Sequence, residues 1–138
     1  MKSKTNHFSG VMLSAAVWAL ALVPASQAAE PMPQPQYVFR AEVSRVVAGD
    51  LVEMNIDLGF GVWVHGQTLY LTGVKAPDMV ESKEEALKWK ARLTELLKQR
   101  AEIIIQTSKD KQAKPPRYLA VIWADGENIN EAMKAGGN

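Results

Sequence analysis

The chain has 138 residues, with 16 Lys+Arg against 15 Asp+Glu, a formal charge of +1 and no cysteine. That balance excludes a polyanion binder working by bulk charge, and the missing thiol excludes disulfides, thiolate zinc sites, a cysteine nucleophile and a lipidated cysteine anchor. At 47% hydrophobic and 22% charged, the composition is that of one ordinary globular domain.

Lys2 and Lys4 precede an apolar run at residues 11–23, Pro24 breaks it, and Ser26 and Ala28 put small residues just before Ala29. This is the anatomy of a secretory signal peptide over 1–28, cleaved after Ala28. The run is too short for a bilayer span, which needs ~20 residues, and without twin arginines the route is general secretion. The expectation is a secreted or periplasmic protein, a monomer with no membrane anchor after cleavage. Losing Lys2 and Lys4 leaves 14 basic residues against 15 acidic, a net charge of −1, so any nucleic-acid site has to be a local patch. Pro31, Pro33 and Pro35 make 29–36 an extended linker, and the folded domain is expected over 37–138.

Residues 37–47 are rich in β-branched and aromatic side chains and put Phe39, Ala41 and Val43 on one face, with Arg45 next in the series. They end at the turn signal Ala48, Gly49, Asp50. Residues 51–58 alternate Val52, Met54, Ile56 and Leu58 against Glu53, Asn55 and Asp57, so the two runs read as a hairpin. Gly59, Phe60 and Gly61 bend the chain into a short strand at 62–64, His65 and Gly66 mark another turn, and 67–74 reads as the third main strand. Ser82 with Glu85 is a capping box that opens a helix to about residue 100. Its stripe of Ala86, Trp89, Leu93, Leu96 and Leu97 has helical spacing and reads as core. Residues 101–107 carry three successive isoleucines and form a buried strand, 108–116 is a basic loop holding Lys109, Lys111 and Lys114, and 117–123 is the last strand. Residues 128–135 make a short helix that stops at Gly136 and Gly137. This order predicts an α+β fold, a five-stranded OB-type β-barrel with one main helix plugging an end and a short C-terminal helix.

Four landmarks stand in register: Val43, Arg45, Val46, Val47, Gly49 and Asp50 at the first hairpin; Leu71, Val74, Ala76, Pro77 and Asp78 after the third strand; Arg117, Leu119, Ala120, Val121, Ile122, Ala124, Asp125 and Gly126; and Asn130, Glu131 and Ala132. Together they resemble the staphylococcal nuclease, or thermonuclease, family. Residues 57–63 further resemble a variant found among short members of the family. The resemblance covers about Val38 to Gly136 and implies a barrel that cleaves DNA or RNA with calcium. In that chemistry two aspartates and a backbone carbonyl hold the ion, a glutamate activates water and two arginines clamp the phosphate.

Carried over by position, Asp50 retains the first metal carboxylate, whereas a neighbouring aspartate becomes Ala48, the second metal aspartate becomes Lys75 and the carbonyl-donating threonine becomes Ala76. The glutamate becomes Asp78, roughly 1.5 Å shorter, where a shift of about 1 Å already costs ~100-fold. One arginine becomes Tyr70, which lacks a bidentate fork, and the other survives as Arg117. The catalytic remnants are therefore Asp50, Asp78 and Arg117. Asp50 is the only retained ligand position, and an ammonium cannot ligate calcium, so no metal or other cofactor is expected.

The resemblance thus implies a degenerate site acting as a binding module for single-stranded nucleic acid or an envelope protein, on a face carrying Tyr70, Lys75, Lys109, Lys111, Lys114, Arg117 and Tyr118. The alternatives are an active calcium-dependent phosphodiesterase and a structural subunit of an envelope or secretion assembly. Asp50 and Asp78 are equally readable as turn residues, the loop lysines as solvated charge, Trp63 as core, and His65, with no second histidine nearby, has no metal or acid–base role. If Lys75 supplies from within the charge that calcium would bring, standing between Asp50 and Asp78, calcium leaves the melting temperature unchanged in a thermal-shift titration. A rise would contradict that substitution.

Overall fold

The computed structural model describes residues 34–137 together with Gly10 and Met32. The signal peptide expected over 1–28, part of the linker expected over 29–36, and Asn138 lie outside the described residues. Residues 34–137 belong to one compact unit.

Its elements are β1 (Val38–Ala48), β2 (Leu51–Asp57), β3 (Trp63–Leu71), α1 (Lys83–Leu97), β4 (Ile103–Asp110), β5 (Arg117–Ala124), a two-residue β6 (Glu127–Asn128) and α2 (Ile129–Ala135). The sheet runs β3-β2-β1-β4-β5-β6, and a parallel pairing of β3 with β5 closes the first five strands into a barrel. This is the predicted architecture: a closed, mixed five-stranded barrel with one main helix and a short C-terminal one.

Period-2 alternation builds the core, because successive strand side chains take opposite faces. Val52, Met54 and Ile56 of β2 meet Leu69 and Leu71 of β3, Ile103 and Ile105 of β4, and Ala120, Ile122 and Ala124 of β5. From α1, Leu93 and Leu97 are buried with Trp89 and Leu96 packed beside them, and α2 adds Ile129 and Met133. Gly49 is where the β1–β2 turn meets α1. A Cβ there would lie 2.5 Å from the Trp89 Cβ and 2.9 Å from the Ala76 Cβ, so only glycine allows that approach.

Four local expectations shift. Val43 pairs with Met54 but Arg45 with Glu53, so Ser44 is a bulge. The bulge inverts the alternation, turning Arg45 out to an ion pair with Glu53 at 3.0 Å and leaving Val46 to pack on the core. His65 and Gly66 do not break the third strand. Gly66, at φ 69, forms a bulge whose N–H donates to the Asn55 Oδ1 at 3.1 Å, and β3 continues through it. The α1 helix stops at Leu97, before residue 100, as Gln99 turns left-handed at φ 55 and the Arg100 Nε donates to the Leu96 carbonyl at 2.6 Å. Finally, β4 runs on to Asp110 and pairs Lys109 with Tyr118 and Asp110 with Arg117, which leaves a loop of only 111–116.

Asn130, 2% exposed, fastens the parallel seam. Its Oδ1 accepts from the Ile122 N–H at 2.9 Å, and its Nδ2 donates to the Thr72 and Ala120 carbonyls, both at 3.0 Å. Asn130→Ala takes the partner from the buried Ile122 N–H and unties the Thr72 carbonyl, while the Ala120 carbonyl keeps the Thr72 N–H at 2.9 Å; the expected loss is about 2 kcal/mol in a denaturant melt. A loss within 0.5 kcal/mol, the scatter of neutral surface changes, would contradict the fastening role.

Candidate functional site

The seam also places the site. Tyr70 stands opposite Leu119 across it, and strand alternation sends Tyr70, Arg117 and Leu119 to the outer face while Leu69, Leu71 and Ala120 enter the core. Asp50 arrives from the β1–β2 turn, its carbonyl accepting from the Leu71 N–H at 2.8 Å. Beyond β3 the chain turns at Gly73, φ 72, and brings Lys75 alongside. Asp50, Tyr70, Lys75 and Arg117 thereby line one open cleft of about 380 Å³, with Leu71, Gly73, Val74 and Leu119 in its walls.

Arg117 is oriented from two sides. Its guanidinium carbon lies 4.7 Å from the centroid of the Tyr70 ring, a cation–π stack. Its Nε donates to the Asp110 Oδ2 at 3.1 Å, and no described residue takes a hydrogen bond from its two Nη groups, the pair that grips a phosphate or carboxylate bidentately. The other oxygen of Asp110 accepts from the Gln112 and Ala113 N–H groups at 3.1 and 3.3 Å. One carboxylate therefore shapes the 111–116 loop and aims the arginine.

The two acids of this region are shifted in opposite directions. The hydrogen bond from Arg117 holds the Asp110 carboxyl below its ordinary 3.8, with the Gln112 and Ala113 N–H groups adding to the effect. Burial pushes Asp50 above 3.8, against the pull of the Ala76 and Asp50 N–H groups and the Arg117 charge. Asp50 thus has the weaker hold on its negative charge, and the lining of the cleft sets two cations, Lys75 and Arg117, against this one carboxylate.

The cleft gathers Asp50, Tyr70, Lys75 and Arg117 but not the other candidates. Asp78 is outside its lining, and so Lys75 is not placed between two carboxylates there. The Asp78 Oδ1 accepts from the Val80 and Glu81 N–H groups at 2.8 and 2.7 Å and its carbonyl from the Ser82 N–H at 3.2 Å, shaping the turn into α1. Lys109, Lys111 and Tyr118 line a separate cavity of about 460 Å³ with Tyr37, Thr107 and Ser108, where the Lys109 ammonium lies 5.9 Å from the Tyr118 ring centre. Lys114 is exposed in the 111–116 loop, Trp63 is half-buried in β3, and His65 is exposed in the Gly66 bulge.

A calcium ion wants several oxygen ligands. The cleft offers one side-chain carboxylate beside two cations, and among the described residues no three His, Asp or Glu side chains converge. These residues do not fit the ion. Asp110 is the site residue that sequence reading missed, and its signal was there: it is the only acid in the otherwise basic stretch 108–117.

As pH falls, Asp50 takes up its proton above 3.8, which relieves the burial of a charge, whereas Asp110 holds out below 3.8 and its stabilising contribution is lost only as pH falls through that lowered value. A carboxyl NMR titration therefore finds Asp50 protonating before Asp110, and Arg117→Ala raises both midpoints; the reverse order would contradict the electrostatics of the cleft. No family model matches the chain and no curated protein matches it. What the structure establishes is a closed five-stranded mixed barrel with helices, compatible with OB-fold-like families.

Proposed function

We propose that the protein is an exported binding module of the staphylococcal nuclease type, its nuclease chemistry lost, which holds a phosphate-bearing single strand of nucleic acid in the cleft between β3 and β5. The observation that carries this reading is Arg117, stacked on Tyr70 at 4.7 Å and tethered to Asp110 at 3.1 Å, with its two Nη groups turned to no described acceptor. An arginine held in this way loses little freedom on gripping a phosphate. Lys75 adds a second cation where the family resemblance sets a carboxylate, and the Tyr70 ring offers a face to a base.

The same residues argue against hydrolysis. Phosphodiester cleavage needs a group that activates water and a charge that stabilises the phosphoryl oxygens. Asp78 spends one oxygen on two backbone N–H groups of its own turn, and Asp50 stands beside cations with no partner carboxylate in the cleft. The ligand is bound and released unchanged. The leader at residues 1–28 supports action outside the cytoplasm.

The test is fluorescence anisotropy with a labelled single-stranded oligonucleotide, with strand length followed on a gel in the same samples. Binding should weaken as salt rises, with a log–log slope of about −0.7 for each phosphate contact, and Arg117→Ala should weaken it at least tenfold, about 1.4 kcal/mol. Salt-independent or absent binding overturns the reading. Shortened strands that a chelator prevents would instead identify a working nuclease.

A further inference from the structure

At the end of the barrel where Tyr118 emerges, the fold presents an apolar knob beside an apolar socket. The knob is the β2–β3 loop. Gly59, Phe60 and Gly61 all have positive φ, at 82, 55 and 75, and Phe60 between them is fully exposed, flanked by exposed Leu58 and Val62. A bulky side chain is uncomfortable in the left-handed region. The loop nonetheless holds it there by three bonds: the Gly59 N–H donates to the Asp57 Oδ1 at 2.8 Å, and the Leu58 and Val62 N–H groups donate to the Val62 and Gly59 carbonyls, each at 2.9 Å. This is a fixed display of an aromatic ring to solvent.

The socket is an open cavity of about 240 Å³ walled by Phe39, Ile56, Val64 and Leu69 under a lip of Tyr37 and Tyr118, with Leu58 shared between socket and knob. It is large enough for a phenyl ring and lined mostly by hydrocarbon, with Gln67 and Thr107 as its polar wall residues. The chain's own Phe60, fully exposed, does not occupy it.

We infer that the occupant is a second copy of this chain, with Phe60 of each molecule seated in the socket of the other across a two-fold axis. Knob and socket match in size and polarity and lie side by side on one surface, which is the self-complementary arrangement a two-fold interface requires. The charges match as well. Asp57 at the base of the knob, opposite Arg40 in register but ion-paired to no described residue, would meet Lys109 and Lys111 of the neighbouring cavity, which shares Tyr37, Thr107 and Tyr118 with the socket. A membrane surface fits less well, since the acidic Asp57 sits at the base of the exposed ring. Tyr118 and Arg117 occupy opposite faces of β5, so pairing through the socket leaves the Arg117 cleft open.

The test is sedimentation equilibrium of the purified protein over a wide concentration range. A concentration-dependent dimer is expected. Phe60→Asn removes the ring while suiting the left-handed backbone, so at a concentration where both proteins are monomeric its melting temperature should be unchanged or higher, while association weakens by about a hundredfold or more, one ring being lost from each side. Val64→Glu, which puts a charge in the socket, should also dissociate the dimer. Monomer at every concentration, or a dimer indifferent to Phe60→Asn, overturns the inference. So does Phe60-dependent binding to lipid vesicles or to another protein by a chain that does not self-associate. The oligonucleotide affinity of Phe60→Asn should equal that of the parent, so this result and the cleft reading fail separately.

Discussion

The barrel depends on a seam that its strands barely form by themselves. Of the five junctions, the parallel one between β3 and β5 has only two residue pairs, and parallel strands cannot be joined by a tight turn. Asn130 makes up the deficit with one side chain, which accepts from Ile122 and donates to Thr72 and Ala120. In the core an amide with all three groups satisfied bridges backbone as a further strand residue would, and among the described residues no buried side-chain polar atom is left without a partner. The α2 helix can deliver it because Asn128 caps the helix by accepting from the Glu131 N–H at 3.1 Å and because Ile129 and Met133 anchor it in the core.

The proposed function depends on this closure. Tyr70 belongs to β3 and Arg117 to β5, so their stack exists only while the seam is shut. Asp50 is tied to the same place by its carbonyl on Leu71. The cleft is therefore a property of the closed barrel rather than of a mobile loop, and its residues enter it with little orientation left to fix. Its polarity follows from which charges the position tolerates. Burial disfavours ionised Asp50, whereas Arg117 is supported by the Tyr70 ring and, from outside the lining of the cleft, by the Asp110 carboxylate. An anion entering the cleft meets cations already in place.

The barrel was legible because alternation is a strong signal: Val52, Met54 and Ile56 announce an inward face, and the Ser82–Glu85 box announces the helix. The bulges were not. An extra residue at Ser44 changes the face of Arg45 and Val46, and a second register shift follows between Val46 and Ala48, without changing the look of the sequence, and Gly66 reads as a turn although it only relieves a strand. The outer end of β4 was missed for a different reason, since Ser108, Lys109 and Asp110 pair beyond the core and so carry no alternation. Of the site, Asp50, Tyr70, Lys75 and Arg117 could be named from the motif resemblance. Their gathering in one cleft, the exclusion of Asp78 and the roles of Asp110 and Asn130 depend on contacts between distant strands. Asn130 belonged to the fourth landmark and stood as a polar residue within the apolar stripe of Ile129 and Met133, but neither signal said that it bridges the seam.

The central claim is that the closed seam makes an anion-binding cleft from Tyr70, Lys75 and Arg117. Backbone NMR shifts of the labelled protein, followed while a short single-stranded oligonucleotide is added, locate the contact directly. The account predicts that the largest shifts cluster at Asp50, residues 70–75, Asp110 and residues 117–119, together with the Arg117 side-chain Nε signal. Shifts confined to any other face of the barrel, or none at saturating oligonucleotide, would contradict it.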